Sequence, residues 1–360
     1  MKAAVLREVN KPLTIEEVQI DRPGPHEVLI RTGACGVCHS DLHFIEGKYP
    51  CAMPTILGHE AAGTVEAVGE LVDYVQPGDR VITCLSGFCG HCDFCLSGRP
   101  ALCSQAGIRR GATEAPRLSQ DGKLMNQVFS LAAFAEQMLV HEHSLVKVGT
   151  EVSFEQLALI GCGVTTGVGA VLNTAKIEPG STVAVIGCGG VGLNCIQGAK
   201  IGGAGRIIAI DRVVSKLALA EQFGATDLID ASEVDPVAEV KALTDGGVDY
   251  AFEVIGLKVA AEQAFAMLGR GGTATIIGMI PPGQKIELEG RMFLGERRIQ
   301  GSVMGSNRFR IDMPRYITWY RQGRLKLDEL VTQRLKLDQI NEAFEDMVYG
   351  KVARSVIVFD

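Results

Sequence analysis

The chain has 360 residues, enough for two domains that each bury an apolar core. Its net charge of −7, with no long basic run, argues against nucleic acid as a partner, and the opening MKAAVLREVN lacks the apolar centre of a secretory signal. A cytoplasmic protein is therefore expected, and its 11 cysteines, an odd count with four packed between residues 89 and 103, point to metal and not to a disulfide framework.

Residues 1–150 carry short strand-type runs, such as Val28–Thr32 and Gly63–Val68, separated by Pro and Gly turns. The stretch from Gln156 to Ala175 is uncharged and long enough to span a bilayer. Thr165, Thr166, Asn173 and four glycines within it make it a buried glycine-rich segment, so no membrane association is expected. Near residue 176 the texture changes. Strands are predicted at 181–187, 206–211, 226–230, 248–254 and 272–278, alternating with helices at about 190–202, 213–223, 236–244 and 258–268. That alternation predicts a parallel, doubly wound sheet. From about residue 304 a helix and a closing strand, Ser355–Phe359, are expected to rejoin the first domain. The expected domains are 1–163 with 304–360, mainly β, and 164–303, an α/β nucleotide-binding unit.

Gly187-Cys-Gly-Gly-Val-Gly192 is a G-x-G-x-x-G run following a buried strand and opening a helix. Gly187 is suited to the tight turn, Gly189 and Gly190 to close approach of a pyrophosphate, and Gly192 to packing of helix on strand. Asp211 ends the next strand, 24 residues after Gly187, where a carboxylate binds ribose hydroxyls and repels a 2′-phosphate. NAD is thus expected over NADP, although Arg212 beside it is suited to a phosphate.

Cys89, Cys92, Cys95 and Cys103 are spaced C-x2-C-x2-C-x7-C, which can close a tetrahedral thiolate shell around a structural zinc. A ferredoxin-type cluster would close with three intervening residues and a proline; here seven intervene and Ser104 follows. Three further segments, CGVCHSDLH (35–43), LGHEAAG (57–63) and IGCGVTT (160–166), offer cysteine and histidine from separate places. Together they supply a three-ligand zinc set with an open fourth position.

CGVCHSD, GHE, the four-cysteine lobe, GCGVTTG and GCGGVG follow one another in the order seen in zinc-dependent medium-chain alcohol dehydrogenases. The chain resembles that family over essentially its whole length, and GCGVTTGVGAVLNTAKIEPGSTVAVIG looks most like the branch that includes the class III enzymes. The resemblance implies a GroES-like catalytic domain joined to a Rossmann domain, two zinc ions and NAD. Cys38, His59 and Cys162 would hold catalytic zinc. Asp41 would orient His59, with Glu60 behind the metal. Ser40 and His43 would carry the alcohol proton away as its hydride passes to nicotinamide. His39 and Arg354 would reach the pyrophosphate, Lys216 the adenosine ribose, and Thr166 and Val191 the nicotinamide. The implied partners are a small alcohol or aldehyde and a second copy of the chain, in a homodimer or a homotetramer, with edge-strand contacts near Val303. Cys35, Cys51, Cys84, Cys188 and Cys195 are expected as small apolar packing residues.

Class III enzymes oxidise a thiol adduct of formaldehyde. The arginine that branch carries four residues after the last lobe cysteine is Gly107 here, with Arg109 and Arg110 displaced. Its aspartate eleven residues after the first zinc cysteine is Tyr49, and the relay histidine it usually lacks is present as His43. These departures favour ordinary primary or aromatic alcohols, with thiol-adduct oxidation as the alternative. A non-enzymatic NADH- or metal-binding sensor would have no use for the Ser40–His43 path.

Overall fold

The computed structural model describes residues 1–105, 107–111, 113–350 and 352–359. The chain divides into two compact units, one of Met1–Cys162, Arg308–Gly323 and Leu327–Asp360, the other of Gly163–Asn307 and Arg324–Lys326.

The first unit is built on a seven-stranded sheet. Its path runs Leu145–Val148, Arg80–Thr83, Glu60–Val68, Glu27–Gly36, Arg354–Val358, Val331–Leu335, with Gln137–His141 also pairing Glu27–Gly36. The closing strand does rejoin this unit, pairing antiparallel with Glu27–Gly36. Two registers converge at Gly36, which lies opposite Glu60 on one side and opposite Val356 on the other. The alternating apolar residues Val28, Ile30, Val65, Val81 and Ile357 fill the core beneath. Cys35, Cys84, Cys188 and Cys195 are all at most 1% exposed, as packing residues should be, while Cys51 is half-buried against the same core as Cys35.

The second unit is a six-stranded, all-parallel sheet in the order Asp227–Asp230, Arg206–Asp211, Thr182–Ile186, Val248–Glu253, Leu268–Ile276, Arg298–Gly301. Numbered along the chain this is 3-2-1-4-5-6, the doubly wound Rossmann order, whose reversal lies between the first and fourth strands. The helix Phe154–Ala175 has the length and apolarity of a membrane span, yet 83% of that window is buried, which makes it a core helix.

Glu27 is buried and carries an ion-pair network that the sequence pattern did not reveal. Its carboxylate takes Arg117 Nε at 2.6 Å and Arg110 Nη2 at 2.6 Å, and Arg110 also pairs with Asp21. Burial alone would raise the Glu27 carboxyl, but the two guanidiniums outweigh it and hold it below its usual value. A depressed carboxylate stabilises the fold above its unfolded pKa and loses that contribution as pH falls through the lower folded value. Arg117→Leu strands part of this charge and should cost about 3 kcal/mol. Denaturant melts at pH 7 measure that cost, and acid titration should show the variant unfolding at higher pH than the parent.

Candidate active site and metal centres

The Gly36–Glu60 register brings Cys38, two residues beyond one strand, to the same end as His59, which directly precedes the other. Cys162 comes from a widened, π-type turn at Ile160–Val164, a local irregularity often found where a helix must aim a functional side chain. The Sγ atoms of Cys38 and Cys162 and the His59 ring nitrogen lie within 4.8 Å of one another, all buried.

The surroundings fit a zinc ion. Asp41 Oδ1 accepts from the Gly58 N–H at 3.0 Å and lies 3.2 Å from His59 Nδ1, leaving Nε2 to face the thiols. A carboxylate on the far ring nitrogen is the usual support of a zinc-bound histidine. Burial alone would lower the His59 imidazole, but Asp41 outweighs it and holds the group well above its ordinary value. The Cys38 thiol is held well below its ordinary value by the hydrogen bond from Cys162, and Arg354 and His59 add to the effect. Ser40 Oγ sits 3.1 Å from Cys38 Sγ and 3.2 Å from His59 Nε2, at the mouth of the set. Behind it Glu60 is fully buried and faces Arg354 Nη2 at 3.5 Å, while Arg354 Nη1 donates to the Val37 carbonyl at 3.0 Å. Gly36 makes room for this pair, because a Cβ there would lie 2.1 Å from Glu60 Oε2.

His43 is half-buried, and its Nδ1 has no partner among the described residues. His39 is exposed on the first turn of the helix His39–Ile45. A residue that the sequence pattern did not single out is Phe129. Its ring meets His59 edge-on at 5.2 Å and Phe44 at 5.6 Å. Phe129, Ser130 and Ala132 all have φ between 54° and 61°, a left-handed backbone that costs non-glycine residues about 1 kcal/mol or more each. No motif marks such a turn. The only signal was an unexplained aromatic in the long segment after the lobe.

In the lobe, the four cysteines are free and their sulfurs mutually within 4.8 Å. The separations Cys92–Cys95, Cys92–Cys103 and Cys89–Cys95 are 3.5, 3.7 and 3.9 Å. Tetrahedral zinc with Zn–S bonds of about 2.3 Å needs its sulfurs about 3.8 Å apart. The Cys89 and Gln105 amides both donate to Cys103 Sγ at 3.2 Å, and the His91 amide lowers the Cys89 thiol to about 6. His91 itself is exposed and its ring bonds the Cys89 carbonyl.

In the second unit, Gly187 has φ +102°, and a Cβ on Gly192 would lie 1.8 Å from the Gly187 carbonyl oxygen. Around Gly189, which precedes the helix Gly190–Ile201, a Cβ would meet nothing within 4 Å. That open face beside unpaired helical amides fits a pyrophosphate. Asp211 Oδ2 accepts from the Cys188 amide at 2.7 Å, and Oδ1 from the Arg212 and Val213 amides at 2.8 and 3.0 Å. The acid therefore ties the glycine turn to the next strand. Arg212 is exposed, and Lys216 lies on the helix Val214–Phe223. Val191 lies in the first turn of the glycine-motif helix, and Thr166 Oγ1 is 3.3 Å from Met304 Sδ. Gly192→Ala should abolish NADH binding, measured by calorimetric titration, while metal analysis still finds two zinc ions per chain.

Residues 24–150 match the alcohol dehydrogenase GroES-like domain and residues 190–321 the zinc-binding dehydrogenase family. The probable S-(hydroxymethyl)glutathione dehydrogenase 1 of Schizosaccharomyces pombe is 40% identical, over 99% of this chain and 96% of that protein. The crystal structure of benzyl alcohol dehydrogenase from Acinetobacter calcoaceticus superposes with a TM-score of 0.94 at 35% identity, covering 100% of this chain and 99% of that one. A zinc-binding dehydrogenase from Sinorhizobium meliloti 1021, bound to NADP, gives 0.83 at 28% identity, with 99% of each chain covered. With its zinc-fitting cysteine and histidine sets and a nicotinamide cofactor, the chain belongs to the zinc-dependent medium-chain alcohol dehydrogenase family.

Proposed function

We propose that this alcohol dehydrogenase uses NAD to oxidise primary or aromatic alcohols to aldehydes, reversibly and without a thiol cofactor. The carrying observation is an aromatic cluster that reaches His59 through one ring: Phe129 stands edge-on to it, Phe44 backs Phe129, and Tyr49 lies 6.0 Å from His43 and 6.4 Å from Phe44. Such a wall suits the face of an arene more than the carboxylates of a peptide thiol. Cys38, His59 and Cys162 would hold zinc, which when bound would supply Lewis acidity towards the alcohol oxygen, and the nicotinamide cofactor would supply the hydride acceptor.

The chain's own residues do the rest. Asp41 fixes the His59 ring, and the buried Glu60–Arg354 pair balances charge behind the ligands. Ser40 Oγ takes the alcohol proton and His43 passes it towards solvent. Cys89, Cys92, Cys95 and Cys103 would hold a second zinc, which would keep the lobe folded. We assign His39 and Arg354 as N–H donors to the cofactor phosphates, Lys216 to the adenosine ribose, and Thr166 and Val191 to the flanks of the nicotinamide. NAD is favoured because Asp211 and Asp230 stand side by side in register, and Arg212 acts on Asp230, lowering its pKa after the larger effect of Ser232. We place the enzyme in the cytoplasm, in keeping with its free cysteines, as a homodimer joined along the edge strand Arg298–Gly301, near the exposed Val303.

One observation favours oxidation of the formaldehyde–thiol adduct. A cavity of about 400 Å³ is lined by Arg109, Arg110, Arg117, Asn126 and Gln127 among others, and the 40% identical relative carries that activity in its name. Against it, Arg110 is spent on Glu27, Asp21 and the carbonyls of Arg22 and Ala115.

Nicotinamide absorbance under benzyl alcohol, ethanol and formaldehyde, with and without glutathione and with NAD or NADP, separates the readings. Benzyl alcohol with NAD should be fastest and indifferent to thiol; formaldehyde oxidised only with thiol would establish the alternative. Phe129→Ala should lower kcat/KM for benzyl alcohol about tenfold more than for ethanol. His59→Ala should leave NADH binding intact and cut turnover by about a thousandfold or more.

A further inference from the structure

The mechanism leaves the buried acid Glu253 without a task. Glu253 ends the strand Val248–Glu253, next to the first strand of the parallel sheet, at the reversal in strand order where ligands of open α/β sheets bind. It is fully buried, and no lysine or arginine pairs with it among the described ion pairs. Its Oε1 instead accepts two backbone amides, from Ile255 at 2.8 Å and Gly256 at 2.6 Å; no well-aligned hydrogen bond reaches Oε2, and the Leu257 and Gly278 amides also act on the carboxylate. Burial raises its pKa, and the amide donors oppose that rise.

A side chain buried this deeply, with its well-aligned hydrogen bonds all to the backbone of the turn that follows it, serves to hold that turn. What this turn does is wall the phosphate-binding glycines. Val254 and Ile255 side-chain carbons occupy the places where a Cβ on Gly187 would fall, 3.1 and 2.6 Å away, and Val254 lies 3.2 Å from that position on Gly192. The next loop is fitted to the same acid. The Ile277 and Gly278 amides donate to the Glu253 carbonyl at 2.9 and 3.1 Å, and a Cβ on Gly278 would lie 2.7 Å from Oε2 and 2.0 Å from the Gly256 nitrogen.

We propose that Glu253 is a positioning residue for the dinucleotide: its carboxylate fixes the turn 254–256 as the wall that holds the Gly187–Gly192 turn open to a pyrophosphate. The glycines have no side chains with which to keep Val254 and Ile255 back, so the wall must be held from behind. Glu253 touches neither cofactor nor substrate and acts through the turn. The inference rests on the assignment of a nicotinamide cofactor, which NADH binding by the parent chain reads separately.

The test is calorimetric titration of the zinc-loaded chain with NADH, alongside thermal melts. Glu253→Asp withdraws the acceptor by one methylene, and NADH Kd should rise about tenfold, the size expected for losing a hydrogen bond to the wall. KM for NAD should rise with it, while kcat at saturating NAD changes little. Glu253→Gln keeps a carbonyl for the same two amides and should restore Kd to within about threefold of the parent. Val240→Ala, in the buried core of the helix Pro236–Leu243, should lower the melting temperature and leave Kd unchanged. The proposal is overturned if Glu253→Asp binds NADH like the parent, if Glu253→Gln is as weak as Glu253→Asp, or if Val240→Ala weakens NADH equally for the same loss of melting temperature.

Discussion

The metal centre of the first unit depends on one crossing of the backbone, at Gly36. Opposite it on one side stands Glu60 and on the other Val356, so three strands distant in sequence meet there in fixed register. Within two residues of that point along each strand lie the parts of the site: Cys38 beyond Gly36, His59 before Glu60, and Arg354 before Val356. The absent side chain of Gly36 is what lets the Glu60 carboxylate pass beneath and meet Arg354. A register slip of one residue would turn every side chain of a strand to the opposite face, so the hydrophobic alternation that fixes the sheet also fixes the ligands. Folding energy and site geometry are here the same interactions.

The second unit uses a different economy. Its glycine turn gives up side chains so that backbone can come close to phosphate, and it is then steadied by neighbours on both sides. Asp211 binds three amides, one of them within the glycine motif, and the turn after Glu253 fills the space the glycines leave. Both acids serve as backbone acceptors at the carboxyl edge of the sheet. That edge exposes the ends of all six strands, so its loops need acceptors that the strand ladder does not provide.

Much of this was legible in the sequence, for physical reasons that differ by region. The parallel strands are buried on both faces and read as apolar runs: 206–211 is reproduced to the residue, and 272–278 is found as Leu268–Ile276, begun earlier because Gly269, Gly271 and Gly272 do not look like a strand. The lobe's metal ligands were legible because four thiols spaced C-x2-C-x2-C-x7-C match a closed tetrahedral shell and not a ferredoxin run. Phe129, Glu27 and Glu253 were not. An aromatic in a loop, and an acid in or at the end of a strand, look the same in sequence whether they face solvent, a metal ligand or a backbone turn. Arg110 shows the same limit: its place in the sequence invited a role in substrate binding, while the fold commits it to Glu27 and Asp21.

By itself, then, the sequence determined the chemistry available: which sulfurs and nitrogens exist for zinc, where a phosphate-binding turn falls, and the order of strands and helices. These features depend on local composition and spacing, which the chain carries before it folds. Only the tertiary structure decided which of these groups meet. It brought Cys38, His59 and Cys162 within reach of one metal ion, set Phe129 against His59 through a left-handed turn, and closed the turn after Glu253 on that buried acid. The first two of those outcomes depend on contacts between segments tens to hundreds of residues apart, which strand register and packing fix and spacing along the chain does not.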